Sequence, residues 1–189
     1  MLEAAHYSPK KVDDIFYQNI HKKYLEDLDP DKNIFLQSDL KELKKFETTI
    51  DDELHGAPIA YFYAVDQIYS KRTKEVAAYY PELLQMPFQF TAVESIVLEA
   101  EKLDYPKNES ARKDAWRKRL KFLTLERLSD LMDQRNTMKK GDSAYKVDAE
   151  LEKDARAKVK LTMTRNFDRI MIKTKPDERF DILVNVITN

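Results

Sequence analysis

The stretch Leu25-Glu-Asp-Leu-Asp-Pro-Asp-Lys-Asn-Ile-Phe-Leu-Gln-Ser-Asp-Leu40 decides how this chain folds. It closes one amphipathic pattern, turns at Asp29-Pro30, buries Ile34-Phe35-Leu36 and launches a second amphipathic pattern from Ser38. Proline disfavours helical geometry in the residue before it, so a helix arriving at Leu28 must stop there. Upstream, Val12, Ile15, Phe16, Ile20, Tyr24 and Leu28 recur at helical spacing behind an expected cap at Ser8-Pro9. Downstream, Leu40, Leu43, Phe46 and Ile50 form the inner face of a helix expected to be capped by Ser38.

The rest of the chain repeats this alternation of stripes and stops. Gly56-Ala57-Pro58 precedes a helix carrying Phe62, Val65, Tyr69, Val76 and Tyr80, expected to end at Pro81. Met86 to Phe90 reads as a short extended bridge. Thr91 with Glu94 fits a capping box, which predicts a short helix over 94–103. A longer helix is expected from Ser110 or Ala111, with Trp116, Leu120 and Leu123 on one face and Leu125, Leu128 and Met132 on another. After a polar break at Lys139–Asp142, Val147, Leu151, Ala155, Val159, Met163 and Phe167 repeat every four residues. Strict fours over-rotate by about 40° per step on a 3.6-residue helix, so this stripe must meet different partners at its two ends or break. Glu152–Arg156 and Asp154–Lys158 are expected as ion pairs on its wet side. Pro176 opens a last helix with Phe180, Leu183, Val184 and Ile187 along one face. These readings give an all-α fold: an irregular bundle of about six to seven helices in a single domain over 1–189, with a short extended segment near 86–90.

Composition removes several functions. Only 2 glycines occur, so there is no Gly-rich phosphate loop, and 0 cysteines remove disulfides, thiolate metal sites and cysteine nucleophiles together. A formal net charge of −1 argues against bulk attraction to nucleic acid or anionic membrane. No apolar run reaches the length that spans a bilayer, so no membrane insertion is expected.

Four motifs invite chemistry and fail on inspection. Asp29, Asp31 and Asn33 imitate the start of a calcium-binding EF-hand loop, but Ile34 stands where glycine is needed and Leu40 where a bidentate glutamate is needed. Ser-x-x-Lys recurs at Ser8–Lys11, Ser38–Lys41 and Ser110–Lys113, each serine at an expected helix cap rather than in a nucleophile's setting. His6, His21 and His55 share no ligand spacing, and His21 is expected at the rim. Lys107 to Lys121 holds seven basic residues against two acids around Trp116, while Glu26 to Glu53 holds ten acids against four lysines. Complementarity within the chain or between domains, with Trp116 in the core, explains both runs better than RNA does. No catalytic, cofactor or metal residue is therefore assigned.

Three stretches together resemble the N-terminal region of bacterial tail-specific, or carboxy-terminal processing, proteases. They are Tyr24-Leu25 with Leu28-Asp29-Pro30, Phe35-Leu36 and Asp39; Phe88, Phe90 and Thr91 leading to Trp116-Arg117-Lys118-Arg119-Leu120-Lys121; and Glu178, Phe180, Val184 and Asn185. The resemblance implies a helical accessory domain cut from a longer envelope or periplasmic serine protease, its signal peptide removed. In that family a PDZ module and a Ser/Lys dyad lie elsewhere, and substrates are selected by nonpolar C-termini. No family catalytic residue maps onto a position here, so the chain should not cleave proteins. The expected partners are its own PDZ and protease domains, protein substrates and an adaptor. The alternative is a freestanding helical module that binds another protein. An accessory domain should leave an open apolar patch centred on Phe180, Leu183 and Ile187; a freestanding module should cover it.

Overall fold

A computed structural model describes residues 14–46, 50–54, 56–57, 59–138, 145–173 and 175–188. The expected features at Ser8-Pro9, Val12, His6, His55, Pro58 and Lys139–Asp142 lie outside them. Among the described residues the fold is all-α, without strands. The helices are α1 (Asp14–Leu28), α2 (Gln37–Leu43), α3 (Ile50–Leu54), α4 (Ala60–Ala77), α5 (Tyr79–Leu83), α6 (Glu109–Asn136), α7 (Asp148–Lys173) and α8 (Pro176–Thr188). Six of these run to seven residues or more; α3 and α5 are five-residue turns that periodicity does not separate from their neighbours.

Three apolar clusters follow one another along the molecule. The first gathers Ile20, Tyr24 and Leu28 of α1, Phe35 of the turn, Phe62 and Val65 of α4 and Leu183 of α8. The second joins Val76 and Tyr80 to Trp116, Leu120, Val159, Met163 and Phe167. The third holds Leu128, Leu151 and Ala155 at the other end of the α6–α7 hairpin, with Phe90, Leu131 and Met132 against them. The every-four stripe of α7 does what its over-rotation requires. Leu151 and Ala155 feed one cluster and Val159, Met163 and Phe167 another, on an unbroken helix. Val147, at 57% exposure, precedes the stripe rather than joining it.

Several local expectations are corrected. Ile15 is 65% exposed, and Tyr17 takes its place on the buried face of α1. Ser38 lies inside α2; the cap is Leu36, whose N–H donates to the Asp39 carboxylate at 2.8 Å. The long second helix divides, with a 3₁₀ turn at Lys44–Phe46 before α3. Gly56 then takes φ +107, a left-handed conformation natural to glycine. Pro81 does not end α4. It sits in the first turn of α5, where its missing N–H costs nothing. No helix forms over 94–103, where only a 3₁₀ turn at Ala100–Lys102 appears. The Glu94 carboxylate that would complete the capping box is instead bound by Arg117 and Lys121 of α6. Asn108, not Ser110, caps α6, its side-chain oxygen accepting from the Ala111 N–H at 2.9 Å.

Side chains correct other expectations. Leu125 is 45% exposed, because the buried face of α6 is the single line Arg112, Trp116, Leu120, Thr124 and Leu128. Glu152–Arg156 is not wet. Glu152 is buried, and Arg156 also donates to the carbonyls of Leu84 and Gln85. Asp154 pairs with Lys146. His21 is buried beside the Tyr61 ring rather than at a rim.

The expected apolar patch on α8 is closed. Leu183 is buried, and Phe180 and Ile187 pack into the first cluster, with Phe180 edge-on to Phe62. Val184 turns outward at 39% exposure.

Candidate functional site

The polar centre of the molecule is the turn after α1. Leu28 ends the helix, and the Asp29 carboxylate, 1% exposed, accepts the N–H groups of Asn33, Ile34 and Phe35 at 2.9, 2.9 and 3.0 Å. One carboxylate thus replaces the partners that three amides lose at the turn. Lys32 takes φ 48, an uncommon conformation for a residue with a β-carbon; its N–H donates to the Asp29 carbonyl and its ammonium to Leu103 O. In the stretch that imitates a calcium loop, Asp29 accepts from the backbone and Asp31 pairs with Arg119.

Helix α6 grips the outside of this turn. Trp116 Nε1 donates to Asn33 O at 2.9 Å, and Arg112 Nη1 to Ile34 O at 2.6 Å. Arg112 is fully buried; its other arm reaches Glu75 at 2.6 Å and Tyr79 Oη at 3.1 Å. Glu75 also accepts from Arg72, whose guanidinium forks onto Asp39 at 2.7 and 2.9 Å. Asp39, Arg72, Glu75 and Arg112 therefore form one chain of alternating charge linking α2, α4 and α6. Burial pushes the Glu75 carboxyl up, but hydrogen bonds from Arg112 and Arg72 outweigh it and leave it below its ordinary value. A carboxylate held ionised in this way shuttles no proton near neutrality.

The charge complementarity read from sequence is present, with different partners. Among the described residues, Arg119–Asp31 is the one ion pair that joins the two opposed runs; Lys113 goes to Glu82, and Arg117 and Lys121 go to Glu94. Trp116 is in the core as expected. Arg112 and Arg179 are buried hubs that a count of charges does not single out. Their signal was position: Arg112 falls four residues before Trp116 on the same stripe, and Arg179 adjoins Phe180. Arg179 pairs with Asp66, and its carbonyl accepts from Tyr24 Oη at 3.1 Å.

Two open clefts flank this frame. One, between α1 and α8, is lined by Phe16, Ile20, Lys23, Ile182, Asn185 and Val186. Another, of about 240 Å³, lies between the segment 90–96 and Lys121, Phe122 and Leu125 of α6. Ser38 and Ser110 lie within α2 and α6.

Fold and site together define a helical domain whose buried polar groups hold its own loops in place. The chain belongs to the tail specific protease N-terminal domain family, whose model matches residues 1–189. It is 31% identical over 121 residues to the tail-specific protease of Haemophilus influenzae (strain ATCC 51907 / DSM 11121 / KW20 / Rd). That alignment takes in 64% of this chain and 17% of the relative's length.

Proposed function

We propose that this chain is the non-catalytic accessory domain of a bacterial envelope serine protease that selects protein substrates by their C-termini. On this reading it is one domain of a longer protein, exported to the periplasm or cell envelope. It packs on PDZ and protease parts, where it shapes substrate access or docks an adaptor. The family match over residues 1–189 carries the reading, joined to the small share of the relative that the alignment occupies. The serine-peptidase chemistry and its Ser/Lys dyad belong to the remainder of such a protein. The accessory role does not draw on an open face of α8, since that face is covered by α1 and α4.

The experiment compares the longer protein with a version lacking residues 1–189, both checked for folding. Turnover of an unfolded protein should fall by about tenfold or more, a loss of transition-state stabilisation above about 1.4 kcal/mol, while a short activated ester is still hydrolysed. Equal turnover of the unfolded protein by both forms overturns the accessory role.

The closed apolar face of α8 favours the second reading, a freestanding helical module that binds another protein. The mass of the native product in cells separates the two. A product of about 22.3 kDa fits the freestanding module, and a much longer one the accessory domain.

A further inference from the structure

The segment from Gln89 to Leu98 (Gln-Phe-Thr-Ala-Val-Glu-Ser-Ile-Val-Leu) is rich in residues that favour strands. Its backbone is unpaired: among the described residues, none of its N–H or C=O groups makes a hydrogen bond within the protein. It runs without a bend from Val93 to Glu99. It is nonetheless held in place at two points. Phe90 packs against the third cluster of Leu128, Leu151 and Ala155, and Glu94 is bound by Arg117 and Lys121. Bends at Thr91 and Ala92 lie between the two anchors, and the straight run begins at Val93, directly before Glu94.

The outer side of this segment is apolar. Val93 is 103% exposed, Leu98 63% and Val97 49%, and Leu125 of α6 stands at 45% across the cleft floored by Phe122. A row of unpaired peptide groups beside a helix, with an apolar cleft between, matches an extended polypeptide: it brings its own row of N–H and C=O groups and a side chain for the cleft. A small molecule, a nucleic acid or a lipid surface offers no such row.

We infer that residues 93–98 take up an unfolded polypeptide as an added strand, with one of its apolar side chains seated over Phe122 and Leu125. This rests on the proposed role in a protease that handles unfolded proteins, and it assigns that role a contact surface. Glu94 stays with Arg117 and Lys121 in the complex, so the strand is held in shape before its partner arrives, which limits the entropy cost of pairing.

The probe is reduced, carboxymethylated α-lactalbumin, a permanently unfolded polypeptide, added to the 189-residue chain. At saturation, amide hydrogen exchange at residues 93–98 should slow by about tenfold, and exchange in α1 and α8 should not change. Val93→Asp and Leu125→Asp each alter an exposed side chain, so they should keep the parent's melting temperature and weaken binding by about tenfold or more. Tyr63→Asp, a substitution at another exposed ring (66%) on α4, should bind like the parent. Absence of binding, unchanged exchange at 93–98, or Val93→Asp and Leu125→Asp binding like the parent overturns the inference. If strand protection persists while deletion of 1–189 leaves the longer protein's turnover unaltered, the accessory role falls and the strand site stands.

Discussion

Trp116 donates its indole N–H to the carbonyl of Asn33 at 2.9 Å, across 83 residues of chain. The bond joins the stretch that stops α1 to the middle of the basic run on α6, two segments that look unrelated in sequence. Trp116→Phe keeps most of the apolar surface and removes the donor, leaving a carbonyl unpaired at the edge of the core. The expected cost is about 1–3 kcal/mol in urea titration. A stability within about 0.5 kcal/mol of the parent would show that water replaces the indole and that the bond contributes little.

Phe35 is 0% exposed and touches Tyr69 and Tyr105 through its ring. Phe35→Ala should cost about 3–5 kcal/mol, from lost burial and the cavity left behind. Ile15→Ala, on the wet side of α1, should move stability by less than about 0.5 kcal/mol. The two substitutions together separate a buried stripe from one that merely looks periodic. Similar midpoints for both in chemical denaturation would contradict the burial of the turn.

The Asp29 carboxylate serves three amides at once, and Asp29→Ala leaves all three without their acceptor. The expected loss is about 2 kcal/mol or more. Asp29→Asn keeps one acceptor oxygen for Ile34 and Phe35 and should lose less. Equal loss for both variants would mean that charge, rather than acceptor geometry, holds the turn.

Acid should loosen the protein through Glu75 and Glu94. Hydrogen bonds from Arg117 and Lys121 hold the Glu94 carboxyl down to about 2, and the Glu75 carboxyl also lies below its ordinary value. An acid whose folded pKa is depressed contributes stability above its unfolded value, about 4.5, and loses it as pH falls through the folded value. Unfolding midpoints should therefore drop between about pH 4.5 and pH 2, and Glu94→Gln and Glu75→Gln should each flatten that slope. Asp29 acts with the opposite sign, because burial raises its carboxyl overall; comparing variants that all retain it cancels its share. Slopes identical to the parent's would remove both ion-pair clusters from the acid response.

The helices were legible where one face alone meets the core. The stripes of α1, α4 and α7 name buried residues correctly at Ile20, Tyr24, Val65, Tyr69, Ala155 and Met163. The stop before Pro30, the break at Gly56 and the helix start at Pro176 were legible for the same local reason, since each acts on its own dihedrals or those of a neighbour. The 94–103 segment was misread because a capping box is a local pattern, and Glu94 has a stronger remote option in two cations of α6. Ser38 lies two residues past the cap at Leu36, whose N–H is taken up by Asp39 from within the helix, and Ser110 lies two past Asn108, a capping residue of equal quality. The polar frame was the least legible part. Nothing in the spacing of Asp39, Arg72, Glu75 and Arg112 shows that they share one network until α2, α4 and α6 are packed.

Ala155, 0% exposed, is the smallest residue of the α7 stripe and lies in the cluster with Leu128 and Leu151. A small side chain there lets two helices approach, so Ala155→Leu must push them apart or force strained rotamers, at about 1–3 kcal/mol. The site of that strain matters as much as its size. The third cluster holds three buried residues, and Trp116, the one tryptophan of the chain, reports from the second cluster. If the far end of the hairpin opens as its own unit, helical circular dichroism should begin to fall at lower urea than Trp116 fluorescence in Ala155→Leu, while the parent shows coincident curves. Coincident curves in the variant, both shifted to lower urea, would mean that the every-four stripe couples the clusters into one cooperative body, and the local-unit view of the hairpin would fail.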